Sequence, residues 1–157
     1  MAIVVEDGTG VTGANSYVTE AELTTYATNR GVTITGTNSV LIYKSMDYLE
    51  QKDFKGDKLN SDQALQWPRY NVFVDGYYVD SDTIPTLLKE AQMELCLSID
   101  NDVDPMATLG REIKREKIDV IEVEYTNGAS NRSYITAAEL KLVKLLKNGG
   151  TVSTIRV

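Results

Sequence analysis

The chain has 157 residues, of which 42% are hydrophobic and 25% charged, and its formal net charge is −7. This length fits one domain with its own core, and no apolar run reaches the roughly 20 residues that cross a bilayer, which excludes a membrane-spanning protein. The sequence has no histidine and one cysteine, so imidazole-based catalysis and an internal disulfide are excluded as well.

Local patterns predict an extended arm and two helices in the first fifty residues. The β-rich stretch AIVVEDG predicts a short strand or arm. Thr19 and Glu22 form a capping box, which predicts a helix that runs to Gly31. A second helix, about residues 39–52, is predicted by an apolar stripe of Ile42, Met46 and Leu49.

The middle of the chain predicts a short helix, a hairpin and a long helix. Ser61 or Asp62 can cap a short helix through QALQ that Pro68 stops. Residues 69–79 are predicted to form a hairpin that turns at Asp75-Gly76. The clearest helix begins at Ile84-Pro85, and we expect the centre of the core to be its apolar row of Leu88, Ala91, Leu95 and Ile99.

Composition changes after residue 110. The segment REIKREKIDVIEVEYT alternates charged and apolar residues and predicts strands or an extended arm. Thr136 and Glu139 predict a helix that ends at Gly149-Gly150, with an inward face of Leu140, Val143 and Leu146. The predicted fold is α+β and mainly α: a small helical bundle with a β-hairpin, and with extended β arms in the C-terminal third.

Charge divides the chain in the same way. Residues 1–110 hold 7 Lys and Arg against 17 Asp and Glu, a net −10, whereas residues 111–157 hold 9 against 6, a net +3. We therefore separate a helical core, residues 1–110, from a C-terminal part, residues 111–157, which belongs to the same domain or forms a docking arm. The acidic body disfavours general affinity for a phosphate backbone.

Candidate sites for catalysis or metal binding are weak. The run DNDVDP imitates the start of a calcium loop, but Pro105 and Arg111 stand where that loop needs glycine and glutamate. The sequence has no glycine-rich phosphate motif, and Cys96 lies in an apolar run typical of a buried residue. We therefore predict that the protein is not an enzyme and takes no cofactor or metal.

Trp67, Pro68 and Arg69 are predicted to form a rigid corner. Trp67 would pack against the long helix, and Arg69 would remain free to pair with a carboxylate. The tyrosines that follow could stack bases of single-stranded nucleic acid. Because three aspartates in the same region would oppose phosphates, packing or assembly is the favoured interpretation of these tyrosines.

Two motifs, KG-x₄-S-x-QAL-x-WPR and IP-x₃-K-x-A-x₂-E-L, carry a wider resemblance that covers nearly the whole chain. The sequence resembles small tailed-bacteriophage head–tail connector (adaptor) proteins, which are often labelled DnaT-like single-stranded-DNA-binding proteins. The resemblance implies a ring, usually of twelve copies, under the portal protein in the virion neck. Packaged double-stranded DNA would pass through without specific binding, and a stopper or tail-completion protein would dock below. Assembly would take place in the host cytoplasm.

The candidate interface residues are Trp67, Arg69, Tyr77, Tyr78, Arg111, Lys114, Arg115, Lys117, Ile155 and Arg156. The alternative function is a single-stranded-DNA-binding replication accessory protein, with salt-sensitive binding that depends on Arg69, Tyr77 and Tyr78. The net charge of −7 favours the adaptor over this alternative.

Overall fold

The computed structural model describes residues 2–106, 115–118, 121–124 and 136–147, with the backbone alone for both short ranges and Thr136. Four helices and three two-stranded antiparallel ladders lie in these residues, which confirms the α+β fold class. The elements are α1 Glu20–Asn29, α2 Asn38–Leu49, β1 Asp57–Lys58, β2 Arg69–Tyr70, β3 Val72–Val74, β4 Tyr77–Val79, α3 Thr86–Asp100, β5 Arg115–Ile118, β6 Ile121–Glu124 and α4 Thr136–Leu142. No helix in the described ranges has the length and apolar character to span a membrane.

Helix α3 is the centre of the core, as its apolar row predicts. Leu88, Ala91 and Leu95 are fully buried, and α2 and α4 pack against the helix. Burial of such side chains contributes roughly 1.5–3 kcal/mol each. Cys96 is buried on the same helix, and the desolvation of its thiol raises its pKa to about 12, so it is not poised as a nucleophile.

The predicted capping box at the start of α1 is confirmed. Glu22 N donates to Thr19 Oγ1 over 3.0 Å, and the Glu22 carboxylate accepts from Thr19 N over 2.7 Å. The arm before it contains a single bridge, Val5 to Ser16, instead of a strand. Buried Glu6 holds this arm closed, because its carboxylate accepts three backbone N–H groups, from Gly8, Gly10 and Val11.

The predicted QALQ helix is wrong. Residues 61–67 form turns and bends. The side chain of Gln63 takes backbone groups that a helix would use: Nε2 donates to the carbonyls of Leu65 and Pro68, and Oε1 accepts from Asn60 N. Four residues before a proline are also too few to offset the cost of starting a helix.

The inward face predicted for the last helix is wrong at Leu140, whereas the predicted Leu146 is half-buried and packs against the core. Leu140 is 67% exposed, whereas Ala138, Leu142 and Leu145 are fully buried. Helix α4 ends at Leu142. The three buried residues keep the helical spacing i, i+4, i+7, so the helix turns this face to the core and Leu140 lies on another face. The next residues pair with residues 53–55: Lys55 N donates to Leu145 O, and Lys147 N donates to Asp53 O. The predicted helix end at Gly149-Gly150 lies outside the described residues.

Candidate functional site

Strands β3 and β4 form the predicted hairpin around Asp75-Gly76, but it covers residues 72–79 and not 69–79, because Arg69 and Tyr70 pair with β1 instead. The register pairs Val72 with Val79, Phe73 with Tyr78, and Val74 with Tyr77. Asp75 has φ 52° and Gly76 has φ 87°, and two consecutive residues with positive φ give the kind of two-residue turn that matches the twist of a hairpin. Aspartate and glycine tolerate this conformation, which is why the dipeptide predicts the turn from sequence.

The hairpin presents aromatic rings to solvent. Because side chains alternate along a strand, Val72 turns to the core and is fully buried, while Phe73 and Tyr78 share the opposite face. Phe73 is 56% exposed and Tyr78 50%, and their rings meet edge to face at 5.5 Å. Tyr77 is 80% exposed, but it pairs with Val74 and lies on the face of Val72, at the end of the hairpin next to the turn. We call residues 72–79 the aromatic hairpin. Contiguous exposed apolar groups of this kind are typical of binding surfaces.

A lysine lies at the turn of the aromatic hairpin. Lys144, two residues beyond α4, places its Nζ 2.6 Å from Asp75 Oδ2. Lys55 lies beside it, because its Nζ donates to the carbonyl oxygen of Lys144 over 2.7 Å. The sequence analysis did not identify Lys144, since nothing in the sequence links position 144 to position 75.

Trp67, a predicted interface residue, lies in the interior. Its side chain is fully buried, its ring meets Phe54 edge to face at 6.1 Å, and its peptide bond to Pro68 is cis. It belongs to the same apolar cluster as Leu88 and Leu95 of α3, in agreement with the predicted packing against the long helix. The indole therefore presents no surface to a partner.

Arg69 is buried as well, at 6% exposure. Its guanidinium donates to the carbonyl oxygens of Lys55 over 2.8 Å, Gly56 over 2.7 Å, Phe54 over 3.3 Å and Gln66 over 3.1 Å. The expectation that Arg69 stays free to pair with a carboxylate is wrong, because backbone oxygens occupy its rigid fork of donors. Arg69 holds the turn at residues 54–56 from inside the protein.

A buried polar network completes this corner. Tyr17 Oη donates to Glu50 Oε1 over 2.6 Å, Gln66 N donates to Glu50 Oε2 over 2.8 Å, and Trp67 N donates to Tyr17 Oη over 3.2 Å. Burial raises the pKa of Glu50 despite these hydrogen bonds, and burial followed by the nearby Glu50 charge raises the pKa of Tyr17. We call Tyr17, Glu50 and residues 66–69 the interior corner, and its role is structural.

The remaining predicted site residues have no described side chains. Arg115 and Lys117 lie in β5, where the backbone alone is described, and Arg111, Lys114, Ile155 and Arg156 lie outside the described residues. Of the ten predicted positions, Tyr77 and Tyr78 alone are placed by the structure on a described surface. Among the residues that the structure describes, no group of three or more Cys, Asp or Glu side chains could hold a metal ion.

Comparison with known proteins gives one family. A family model described as "Putative DnaT-like ssDNA binding protein" matches residues 1–157, the whole chain. No curated protein and no solved structure matches the chain.

This match overturns the identification as a phage head–tail connector. The family that covers the chain is described by binding of single-stranded DNA, and nothing found supports a portal-binding ring in a virion neck. The sequence argument failed because it weighed the net charge of the whole chain, whereas stacking of bases depends on which aromatic rings are locally exposed.

Proposed function

This chain belongs to the family described as DnaT-like ssDNA binding proteins, and we propose that it binds single-stranded DNA by stacking bases on the aromatic hairpin. The observation that carries this proposal is the exposure of Phe73, Tyr77 and Tyr78 on one short, well-defined element. The proposed role is binding without catalysis.

Stacking explains a preference for single strands over duplex. Unpaired bases expose their faces and can lie on aromatic rings, whereas the bases of a duplex already stack on one another. The β-ladder fixes the spacing of the Phe73 and Tyr78 rings before DNA arrives. Less conformational entropy is then lost on binding than in a disordered loop. Because every base has an aromatic face, we expect little dependence on DNA sequence.

The charge of the body sets the expected salt dependence. Residues 1–110 carry a net −10, so the body repels the DNA backbone at long range. Stacking must then supply most of the affinity, and the affinity should fall less steeply with salt than in proteins that bind through a basic groove. Arg69 is buried, so binding should depend on the exposed rings and not, as the sequence predicted, on Arg69 as well.

Alanine variants of the hairpin test the proposal. The binding of a fluorescent oligo(dT) of about 16 nucleotides is measured by anisotropy, with unlabelled duplex as competitor. Tyr77→Ala and Tyr78→Ala should each weaken binding by about 1–3 kcal/mol, or roughly 5- to 150-fold, whereas Tyr77→Phe and Tyr78→Phe keep the rings and the affinity.

Val40→Ala is the matched control, because Val40 is an apolar residue on α2 that is 48% exposed and lies outside the hairpin. This variant should bind like the wild type. Absence of oligonucleotide binding by the wild type, or equal binding by the alanine variants and the wild type, would overturn the proposal.

A further inference from the structure

We propose that Lys144 is the phosphate contact of the aromatic hairpin and that Asp75 competes with DNA for it. This inference rests on the proposed function, because it names the cation that accompanies the stacked bases. It assigns a binding role to two residues at the hairpin turn, one of which comes from the far end of the described chain.

The geometry places a cation at the turn from which Tyr77, the most exposed ring, begins strand β4. Lys144 Nζ lies 2.6 Å from Asp75 Oδ2, and Asp75 directly follows Val74, the register partner of Tyr77. If a base stacks on Tyr77, the phosphate of the same nucleotide lies close to the hairpin turn, where Lys144 is. The long, flexible stem of lysine allows its ammonium group to follow that phosphate.

The backbone of Lys144 is fixed although its side chain is not. Lys55 Nζ donates to the carbonyl of Lys144, and Lys55 N donates to the carbonyl of Leu145, which is fully buried. The side chain of Lys144 is 51% exposed and that of Asp75 is 62% exposed. The protein therefore presents an anchored ammonium group that solvent and ligands can reach.

An exposed ion pair is easily exchanged. Pairs of this kind contribute little net stability in water, and a DNA phosphate carries the same single charge as Asp75. A phosphate can therefore replace the carboxylate at a small cost. While Asp75 is charged, it lowers the affinity both by occupying Lys144 and by repelling the incoming backbone.

The chain contains a matched control pair. Lys147 Nζ lies 3.2 Å from Asp53 Oδ1, with side-chain exposures of 51% and 72%. This pair has the same chemistry and nearly the same exposure, but Asp53 lies in the segment that pairs with residues 145–147 and not in the hairpin. Removing either aspartate changes the net charge by the same amount.

The test compares four variants in the oligo(dT) assay. Asp75→Asn should tighten binding about 2- to 5-fold, and Lys144→Gln should weaken it by a similar factor. Asp53→Asn and Lys147→Gln should leave the affinity within about 1.5-fold of the wild type, because this exposed pair is screened by salt and includes no residue of the aromatic hairpin.

The salt dependence gives a second readout. When Lys144 neutralises a phosphate, the DNA releases a cation. In the wild type this release is offset because Asp75, once it has lost Lys144, attracts a cation itself, whereas Asp75→Asn has no such offset. The slope of log affinity against log salt should therefore be steeper by about 0.7 in Asp75→Asn.

The two proposals fail in different ways. Equal effects of the two aspartate variants, or of the two lysine variants, would overturn the role of Lys144 while Tyr77→Ala still weakens binding. If the wild type does not bind oligo(dT), the proposed function itself fails.

Discussion

Residues 66–69 of the interior corner and the aromatic hairpin are neighbours in sequence, but their side chains differ in exposure. Both are rich in aromatic residues, yet Trp67 and Arg69 are 0% and 6% exposed, whereas Tyr77 and Tyr78 are 80% and 50% exposed. In the corner, the network bonds and backbone oxygens take up the polar groups of Tyr17, Glu50 and Arg69, and the indole Nε1 of Trp67 is buried without a partner. In the hairpin, the rings face water. Residue type alone therefore does not separate a packing residue from a binding residue over ten positions of chain.

The boundary between the two regions lies at Asn71. Its φ of 59° turns the chain between β2, which pairs with β1, and β3, which starts the hairpin. Asparagine tolerates this left-handed conformation better than most residues. The change of direction lets buried Arg69 and exposed Phe73 lie four residues apart.

The largest expected difference between the regions is in stability. Trp67→Ala removes a fully buried indole and should lower the free energy of unfolding by about 3–5 kcal/mol. Phe73→Ala removes a ring that is 56% exposed and contacts Tyr78 across the strands, and it should lower the free energy of unfolding by about 1 kcal/mol. Urea unfolding followed by circular dichroism measures both.

The same pair should show the opposite order in DNA binding. Phe73→Ala should weaken binding of the oligonucleotide while the protein stays folded. If Phe73→Ala destabilised the protein as much as Trp67→Ala, the hairpin ring would belong to the core and the comparison would be wrong.

Two glycines offer a second, smaller contrast. A Cβ on Gly56 would overlap the carbonyl oxygen of Tyr70 and crowd Val72, and Gly56 also has φ 66°. Gly56→Ala should therefore cost about 2–4 kcal/mol of unfolding free energy from overpacking and backbone strain together.

Gly76, at the hairpin turn, has φ 87°, but a Cβ there meets nothing within 4 Å. Gly76→Ala should cost only about 1 kcal/mol, from backbone conformation alone. The same unfolding assay ranks the two variants. Equal losses of unfolding free energy in the two variants would mean that the turn at residues 54–56 can adjust to an added Cβ as easily as the exposed turn can.

The elements that are determined by residues close together in the sequence could be predicted from the sequence. The Thr19 capping box, the Asp75-Gly76 turn and the apolar row of α3 each depend on residues a few positions apart, and the structure confirms all three. The site depends on contacts between distant positions. The pairing of Lys144 with Asp75 spans 69 residues, so local patterns carried no signal for it.

The smallest predicted effect concerns the pH dependence of the interior corner. Burial raises the pKa of Glu50 above its ordinary 4.5, so the native state holds this proton at a pH where the unfolded chain has lost it. The resulting stabilisation is complete below 4.5 and is lost as pH rises through the native pKa. A glutamine at position 50 does not titrate, so the stability of the Glu50→Gln variant lacks this pH-dependent contribution.

The free energy of unfolding of the wild type minus that of Glu50→Gln should therefore fall as the pH rises from below 4.5 through the native pKa of Glu50. Urea unfolding at several pH values measures it. The opposite slope would mean that the hydrogen bonds from Tyr17 and Gln66 stabilise the carboxylate more than burial destabilises it. DNA binding should be the same in both proteins at neutral pH, because Glu50 belongs to the interior corner and the proposed DNA contacts belong to the hairpin.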